Sequence, residues 1–170
     1  MKNLFLLSTV AAITLFAFNA NAGSAEGQGT IGAKIVKQIE VKEVKAGAKG
    51  MYFGTWTNKS NTITLGTDGN ATGTDQTARV NASGDPSRAG EFNIEGPADV
   101  EISQISVKNT SEKIKSGENE MTVSDFNLDK TSGTIGADGK LNVKVGAKLA
   151  VAANQEPGDY TGSYTVQVTY

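Results

Sequence analysis

The chain has no cysteine and no histidine. Without cysteine it can form neither a disulfide nor a catalytic thiolate, and without histidine it lacks the commonest proton shuttle at neutral pH and a frequent zinc ligand. These absences exclude Ser-His-Asp and Cys-His catalytic sites and most transition-metal centres. No catalytic, cofactor-binding or metal site is therefore expected, and stability has to come from core burial and strand pairing.

Positive charge is also scarce, since Arg79 and Arg88 are the only arginines. Beyond residue 22, 15 lysines and arginines are outnumbered by 18 aspartates and glutamates, which gives a net charge of −3. Domains that bind nucleic acid usually carry a clear excess of basic residues on one face. A nucleic-acid partner is therefore not expected.

Only one long apolar run occurs, between Leu4 and Phe18. It follows Lys2 and precedes the small-x-small pattern of residues 20–22, the arrangement of a secretory signal peptide. We predict that residues 1–22 are cleaved, which leaves 148 of the 170 residues, a length typical of one domain. Because the run is too short for a stable membrane span, the mature chain is expected to lack a transmembrane segment. We expect export to the periplasm, the cell surface or the medium.

Leucine is rare in the remaining chain, which holds 12 valines and 9 isoleucines but only 4 leucines. This balance, with abundant serine and threonine, favours strands over helices. Short alternating runs separated by Gly, Pro, Asp and Asn turn residues predict an all-β sandwich or barrel. The predicted strands are 51–56, 61–65, 77–81, 91–94, 99–107, 120–126, 140–145, 148–152 and 161–170. Residues 58–78 have few apolar side chains and are expected to form a surface loop or edge hairpin that could carry recognition.

The amino-terminal part of the mature chain combines a glycine-rich lead with an apolar face. Alternate positions carry Ile31, Ala33, Ile35, Ile39 and Val41, with Lys37 as the one interruption. The pattern fits either one strand or two, 30–36 and 39–44. We predict a flexible lead and candidate donor strand at 23–37, followed by one domain at 38–170.

A second alternating face lies at the carboxyl-terminal end of the sequence. Its apolar or small positions are Tyr160, Gly162, Tyr164, Val166, Val168 and Tyr170. The simpler interpretation is that this segment forms the last strand of a sandwich. The alternative is a strand edge that pairs with another chain, and the residues favour neither over the other.

Three further groups of residues have chemical interpretations that a structural role explains better. The stretch 67–70 with Asp75 supplies oxygen ligands but lacks the closing glutamate of a calcium loop, so a turn is favoured. Two sets of closely spaced carboxylates are expected to lie on solvated strand faces: Glu95, Asp99 and Glu101, and Glu118, Glu120 and Asp125. Tyr52, Phe53 and Trp56 could form a sugar-binding platform, but a sandwich core requires the same density of aromatics.

Several motifs together resemble a bacterial family of exported domains of unknown function, the one numbered 4402. They are Phe53-Gly54, Asp138-Gly139, Gln155 and the stretches 90–94, 121–126, 145–151 and 158–170, and the resemblance spans residues 41–170. It implies an Ig-like antiparallel β-sandwich exported by a Gram-negative bacterium. The ending is also similar to that of chaperone-usher pilin subunits, in which the amino-terminal extension of a neighbour completes the sandwich. That similarity implies self-assembly into fibres and, as partners, a periplasmic chaperone and an usher.

These observations predict a structural rather than a chemical function. The first hypothesis is an exported subunit of a bacterial surface fibre or surface layer that assembles by donor-strand pairing. The alternative is a self-contained periplasmic or secreted β-sandwich domain for binding or adhesion, in which residues 31–44 complete their own sandwich.

Overall fold

The structure is a computed structural model that describes residues 24, 26–45, 50–80 and 86–170 of the chain. The predicted signal peptide, residues 1–22, lies outside these residues. The chain divides into two units, residues 1–34 and 35–170, and the strands belong to the second. No helix within the described ranges is long and apolar enough to cross a membrane.

Strands make up the regular structure of the second unit, in agreement with the excess of valine and isoleucine. The strands are β1 (Glu40–Glu43), β2 (Asn61–Leu65), β3 (Ala71–Gly73), β4 (Gly90–Glu95), β5 (Glu101–Ile102), β6 (Gln104–Val107), β7 (Ser111–Ser116), β8 (Asn119–Leu128), β9 (Gly133–Thr134), β10 (Lys140–Val151) and β11 (Val166–Thr169). A single turn of 3₁₀ helix covers Gln76–Ala78. All strand pairs are antiparallel, so the prediction of an antiparallel β fold is confirmed.

The main sheet has seven strands and curls into a half-barrel around β10. Residues 140–145 of β10 pair with β4, which in turn pairs with β1. Residues 147–151 pair with β2, which in turn pairs with β3. Residues 145–150 pair with β8, which carries β7 on its other side. One long strand therefore holds six others together.

β10 is one continuous strand, although the sequence predicted two strands there, 140–145 and 148–152. Its pairing shifts register in the middle. Pairing with β8 shifts between Gly146 and Lys148, while the buried side chains stay on one face at Val143, Val145, Ala147 and Leu149. A Cβ at Gly146 would overlap the Leu65 carbonyl oxygen and the Asn127 amide oxygen. Only glycine allows β2 and β8 to approach the strand this closely.

Two small sheets complete the fold, β11 with β6 and β5 with β9. The predicted strand 99–107 is split between β5 and β6, and its first residue, Asp99, lies outside β5 in the left-handed region with a φ of 64°. The predicted strand 161–170 is shorter than expected, because only 166–169 pair with β6. Upstream of β11, Thr161 instead makes an isolated bridge to Lys115 of β7.

The apolar side chains form two clusters. The first contains Phe53, Ile63, Leu65, Ala71, Val123, Ala147, Leu149 and Val151. The second contains Phe92, Ile94, Ile102, Ile105, Ile135, Val143, Val145 and Val166. Met51 and Phe126 pack against both clusters and so connect them.

Two predicted strands do not form. Residues 51–56 make only isolated bridges, Tyr52 with Arg88 and Trp56 with Arg79, since Gly54 adopts a φ of 87° that interrupts an extended strand. Within 77–81, the 3₁₀ turn ends at Ala78, and Asn81 lies outside the described residues. Residues 58–78 contain the edge hairpin of β2 and β3, one of the two predicted forms.

Candidate functional site

The amino-terminal apolar face changes character at Lys37. Ile39 and Val41 are half-buried and pack against the second cluster. Ile31 is 101% exposed and Ile35 is 96% exposed, and Ala33 is exposed as well. Neither predicted strand pattern is observed in full, because β1 covers only Glu40–Glu43.

We refer to residues 26–38 as the tail. None of them lies in a strand, and all are exposed. The donor-strand candidates are thus divided: Ile31, Ala33 and Ile35 belong to the tail, whereas Ile39 and Val41 contribute to the domain's own core.

A cluster of lysines around Glu95 lies where the tail ends. The Glu95 carboxylate accepts hydrogen bonds from Lys42 Nζ at 2.9 Å and Lys37 Nζ at 3.2 Å, and Lys140 Nζ lies 3.9 Å away. Hydrogen bonds from Lys42 and Lys37 lower the pKa of Glu95 to about 2. Lys37 interrupts the apolar alternation because its ammonium group binds a carboxylate on β4.

This cluster predicts an acid dependence of stability. A carboxyl whose pKa falls from 4.5 to about 2 on folding stabilises the fold above pH 4.5 and loses that contribution as the pH falls towards 2. We expect Glu95→Gln to lower the melting temperature at pH 7 and to match the wild type near pH 2. Thermal melts across this range test the expectation, with Glu101→Gln at an exposed position of β5 as the control. An equal difference at both pH values would contradict it.

The carboxyl-terminal face packs mainly against the domain itself. Val166 is buried, and Tyr164 and Val168 are half-buried against the second cluster. Gly162 lies so close to β7 that a Cβ there would come within 2.7 Å of the Lys113 carbonyl oxygen. The Tyr160 hydroxyl donates to the Glu156 carbonyl oxygen at 2.6 Å and accepts from Gln155 Nε2 at 2.8 Å. Tyr170 is 66% exposed.

Tyr164 fixes the segment before β11 over the main sheet. Its ring stacks on Phe126 with centroids 5.5 Å apart and meets Phe92 edge-on at 5.6 Å. Its hydroxyl is buried, has no hydrogen-bond partner among the described residues, and occupies the space that a Cβ at Gly90 would fill. Burial and, to a lesser extent, the nearby charge of Glu43 raise the pKa of Tyr164.

The stretch 67–70 forms a turn, as favoured from the sequence. Asp68 accepts hydrogen bonds from the Asn70 backbone N–H at 3.0 Å and from Asn70 Nδ2 at 2.7 Å, and Gly69 has a φ of 85°. Asp75 caps the 3₁₀ turn by accepting from the Thr77 N–H at 2.9 Å. These contacts lower the pKa of both carboxyls through hydrogen bonding. Both side chains therefore serve the local backbone.

The aromatic residues near position 53 are divided between core and surface. Phe53 is buried in the first cluster, and Trp56 donates its indole N–H to the Phe53 carbonyl oxygen at 2.8 Å. The guanidinium of Arg79 lies 5.7 Å from the Trp56 ring, and that of Arg88 lies 5.9 Å from the Tyr52 ring. Each of the two outer aromatic rings thus lies against an arginine guanidinium, whereas Phe53 belongs to the core.

The suggested carboxylate sets have no common geometry. Glu95 belongs to the lysine cluster, whereas Asp99 is exposed before β5 and Glu101 is exposed within it. Glu120 pairs with Lys115 at 2.6 Å, and Asp125 pairs with Lys148 at 3.0 Å. Within the described ranges, no three acidic side chains approach closely enough to hold a metal ion.

In a comparison with protein-family models, residues 39–170 match a domain of unknown function, DUF4402. The chain belongs to this family. The match confirms the resemblance seen in the sequence motifs. No curated protein and no solved structure matches the chain significantly. The similarity of the ending to pilin subunits has no support from these comparisons and stays a prediction.

The DUF4402 match begins at Ile39, the residue where the apolar face becomes packed. All of the tail, residues 26–38, precedes the matched residues. Ile31 and Ile35 therefore lie outside the residues that the family model matches.

The DUF4402 domain also contains an open polar cleft of about 260 Å³ that sequence reasoning did not find. Its walls include the turn 67–70, residues 87–89, Val44 and Lys144. Asp68 and Glu91 face it, but each accepts a hydrogen bond from an asparagine, Asn70 and Asn142 respectively. No spacing in the sequence pointed to this site, because its walls come from four separate parts of the chain.

Proposed function

We propose that this protein is an exported structural subunit of a bacterial surface fibre or surface layer, without catalytic activity of its own. The pattern of residues 1–22 supports export to the periplasm, cell surface or medium. The exposed apolar tail supports assembly, and it is the observation that carries the proposal.

The argument from the tail is energetic. Burying an isoleucine side chain contributes about 1.5 to 3 kcal/mol, so Ile31 and Ile35 together would contribute about 3 to 6 kcal/mol if covered. Large apolar side chains that alternate along an extended, exposed segment are a common mark of an interaction site. Pairing of the tail with a neighbouring copy would cover both side chains.

We infer that this pairing is a donor-strand arrangement in an Ig-like sandwich. The half-barrel and the two small sheets would be the halves of the sandwich, and the two apolar clusters its interior. A strand supplied by each subunit to the next repeats head to tail, and such a heterologous contact builds an open fibre rather than a closed dimer. A periplasmic chaperone and an usher are the partners that this mode of assembly implies.

Removing the apolar side chains of the tail tests the proposal. We expect the double variant Ile31→Ser with Ile35→Ser to weaken self-association about a hundredfold or more, because it forfeits at least about 3 kcal/mol of burial. The matched control is Gln28→Ser with Thr30→Ser, which changes two exposed polar positions of the same segment. Sedimentation velocity of the chain from residue 23 measures the effect. Unchanged association of the isoleucine variant would refute the proposal.

The polar cleft supports a second candidate function, a self-contained binding or adhesion domain. In that case the turn 67–70, with Arg88 and Lys144 nearby, would contact a ligand or host receptor. A chain that stays monomeric at high concentration and still binds bacterial or host surfaces would favour this candidate.

A further inference from the structure

We infer that the outer edge of β11, the side away from β6, receives the tail of a second copy, with residues 31–35 as the added strand. This inference rests on the proposed function, since it names the acceptor for the same tail. Three observations support it. The first is the direction of the backbone hydrogen bonds of β11, and the second is that the edges of the main sheet are charged or covered. The third is that the tail matches β11 in length and in its pattern of side chains.

On its outer side, β11 has no strand partner among the residues that the structure describes. Lys108 N–H donates to the Thr165 carbonyl oxygen at 2.9 Å, whereas Ile105 N–H points the other way, to the Thr131 carbonyl oxygen at 2.7 Å. Val168 lies opposite Ile105. Because hydrogen-bonding direction alternates along an antiparallel pair, the N–H and C=O groups of Val166 and Val168 point away from β6. Within the described residues, β11 pairs with no strand on that side.

The edges of the main sheet are charged or covered. β1 exposes Glu40, Lys42 and Glu43, and charged side chains protect an edge strand against pairing. Lys115 of β7 exchanges two backbone hydrogen bonds with Thr161, at 2.8 and 2.9 Å. The carbonyl oxygen of Ala71 in β3 accepts from Arg79 Nη1 at 2.9 Å. In contrast, β11 reads Val-Gln-Val-Thr, with no charge in its four residues.

The tail matches this edge in length and in its pattern of side chains. Residues 31–35 and residues 166–170 each span about 16 Å when extended. Ile31, Ala33 and Ile35 would continue the inner face formed by Val166 and Val168. The exposed ring of Tyr170 would then gain an apolar neighbour. Gly32 and Lys34 would lie on the outer face, beside Gln167.

Engineered thiols locate the edge directly, because the natural chain has no cysteine and each introduced thiol is unique. One full mature chain carries Lys34→Cys. It is mixed under oxidising conditions with a second chain carrying Gln167→Cys on β11, Glu40→Cys on β1 or Lys113→Cys on β7. Neighbouring strands bring side chains on the same face within disulfide range. We expect a disulfide-linked heterodimer with Gln167→Cys and only background linkage with the other two.

The outcomes separate the inference from the proposed function. Linkage to Glu40→Cys or Lys113→Cys in place of Gln167→Cys would overturn the assignment of the edge, while assembly through the tail would stand. Absence of linkage to all three, together with a monomer in sedimentation, would overturn both.

Discussion

Gly146→Ala is expected to destabilise the protein by about 3 kcal/mol or more, which corresponds to a drop in melting temperature of about 10 °C. Gly146 lies on the central strand β10, where β2 and β8 flank it. A methyl group there would overlap backbone of the Leu65–Gly66 segment and the side chain of Asn127. Backbone cannot rotate away as a side chain can, so relief requires the strands to separate.

Gly32→Ala is the matched control for this prediction. A Cβ at Gly32 meets no atom within 4 Å, and the residue lies in the exposed tail. We expect a change in stability of less than about 0.5 kcal/mol. Thermal or urea denaturation compares the two variants, and similar losses in both would show that crowding at Gly146 is not what constrains β10.

Tyr164→Ala and Tyr164→Phe are expected to differ strongly. The alanine variant loses the ring contacts with Phe92 and Phe126 and should be destabilised by about 3 kcal/mol. The phenylalanine variant keeps the ring and removes a buried hydroxyl for which the described part of the chain offers no hydrogen-bond partner. It should therefore be as stable as the wild type or up to about 1 kcal/mol more stable. Urea denaturation of the two variants measures the difference.

The pH dependence of the same pair gives an independent check. Because burial raises the pKa of Tyr164 above its ordinary value of 10.0, the phenol ionises more readily in the unfolded chain than in the fold. The free energy of unfolding therefore decreases as the pH rises beyond 10. Tyr164→Phe should reduce the alkaline decline in melting temperature. A decline of the same size in both proteins, or a clear loss of stability in the phenylalanine variant at pH 7, would contradict the assigned role of the hydroxyl.

The sequence predicted the strands with strong apolar alternation and missed those without it. β2, β4 and β8 lie close to their predicted positions, since each carries several Ile, Val, Leu or Phe side chains. β7 was not predicted, because its six residues, SEKIKS, contain a single apolar side chain and are held by pairing with β8. The continuity of β10 was hidden by the same glycine that makes its pairing possible.

The candidate site was only partly predictable for a comparable reason. The alternation of residues 31–41 marked the apolar face, but the division at Lys37 depends on Glu95, 58 positions further along the chain. The alternation of neighbouring residues carries no information on a contact with a residue so far along the chain. The direction in which the backbone groups of β11 point is likewise assigned from hydrogen bonds that involve Lys108 and Thr131, which lie far from β11 in sequence.

Whether the tail acts between copies is tested most directly by comparing the chain from residue 23 with the chain from residue 37 in sedimentation velocity over a range of concentrations. Thermal melts of both chains accompany the measurement. Ile31 and Ile35 are almost fully exposed, so their removal costs the domain no core contacts. The account predicts that the shorter chain melts at the same temperature and stays monomeric, whereas the longer chain associates as its concentration rises. A longer chain that remains monomeric throughout, or a shorter chain that unfolds, would contradict it.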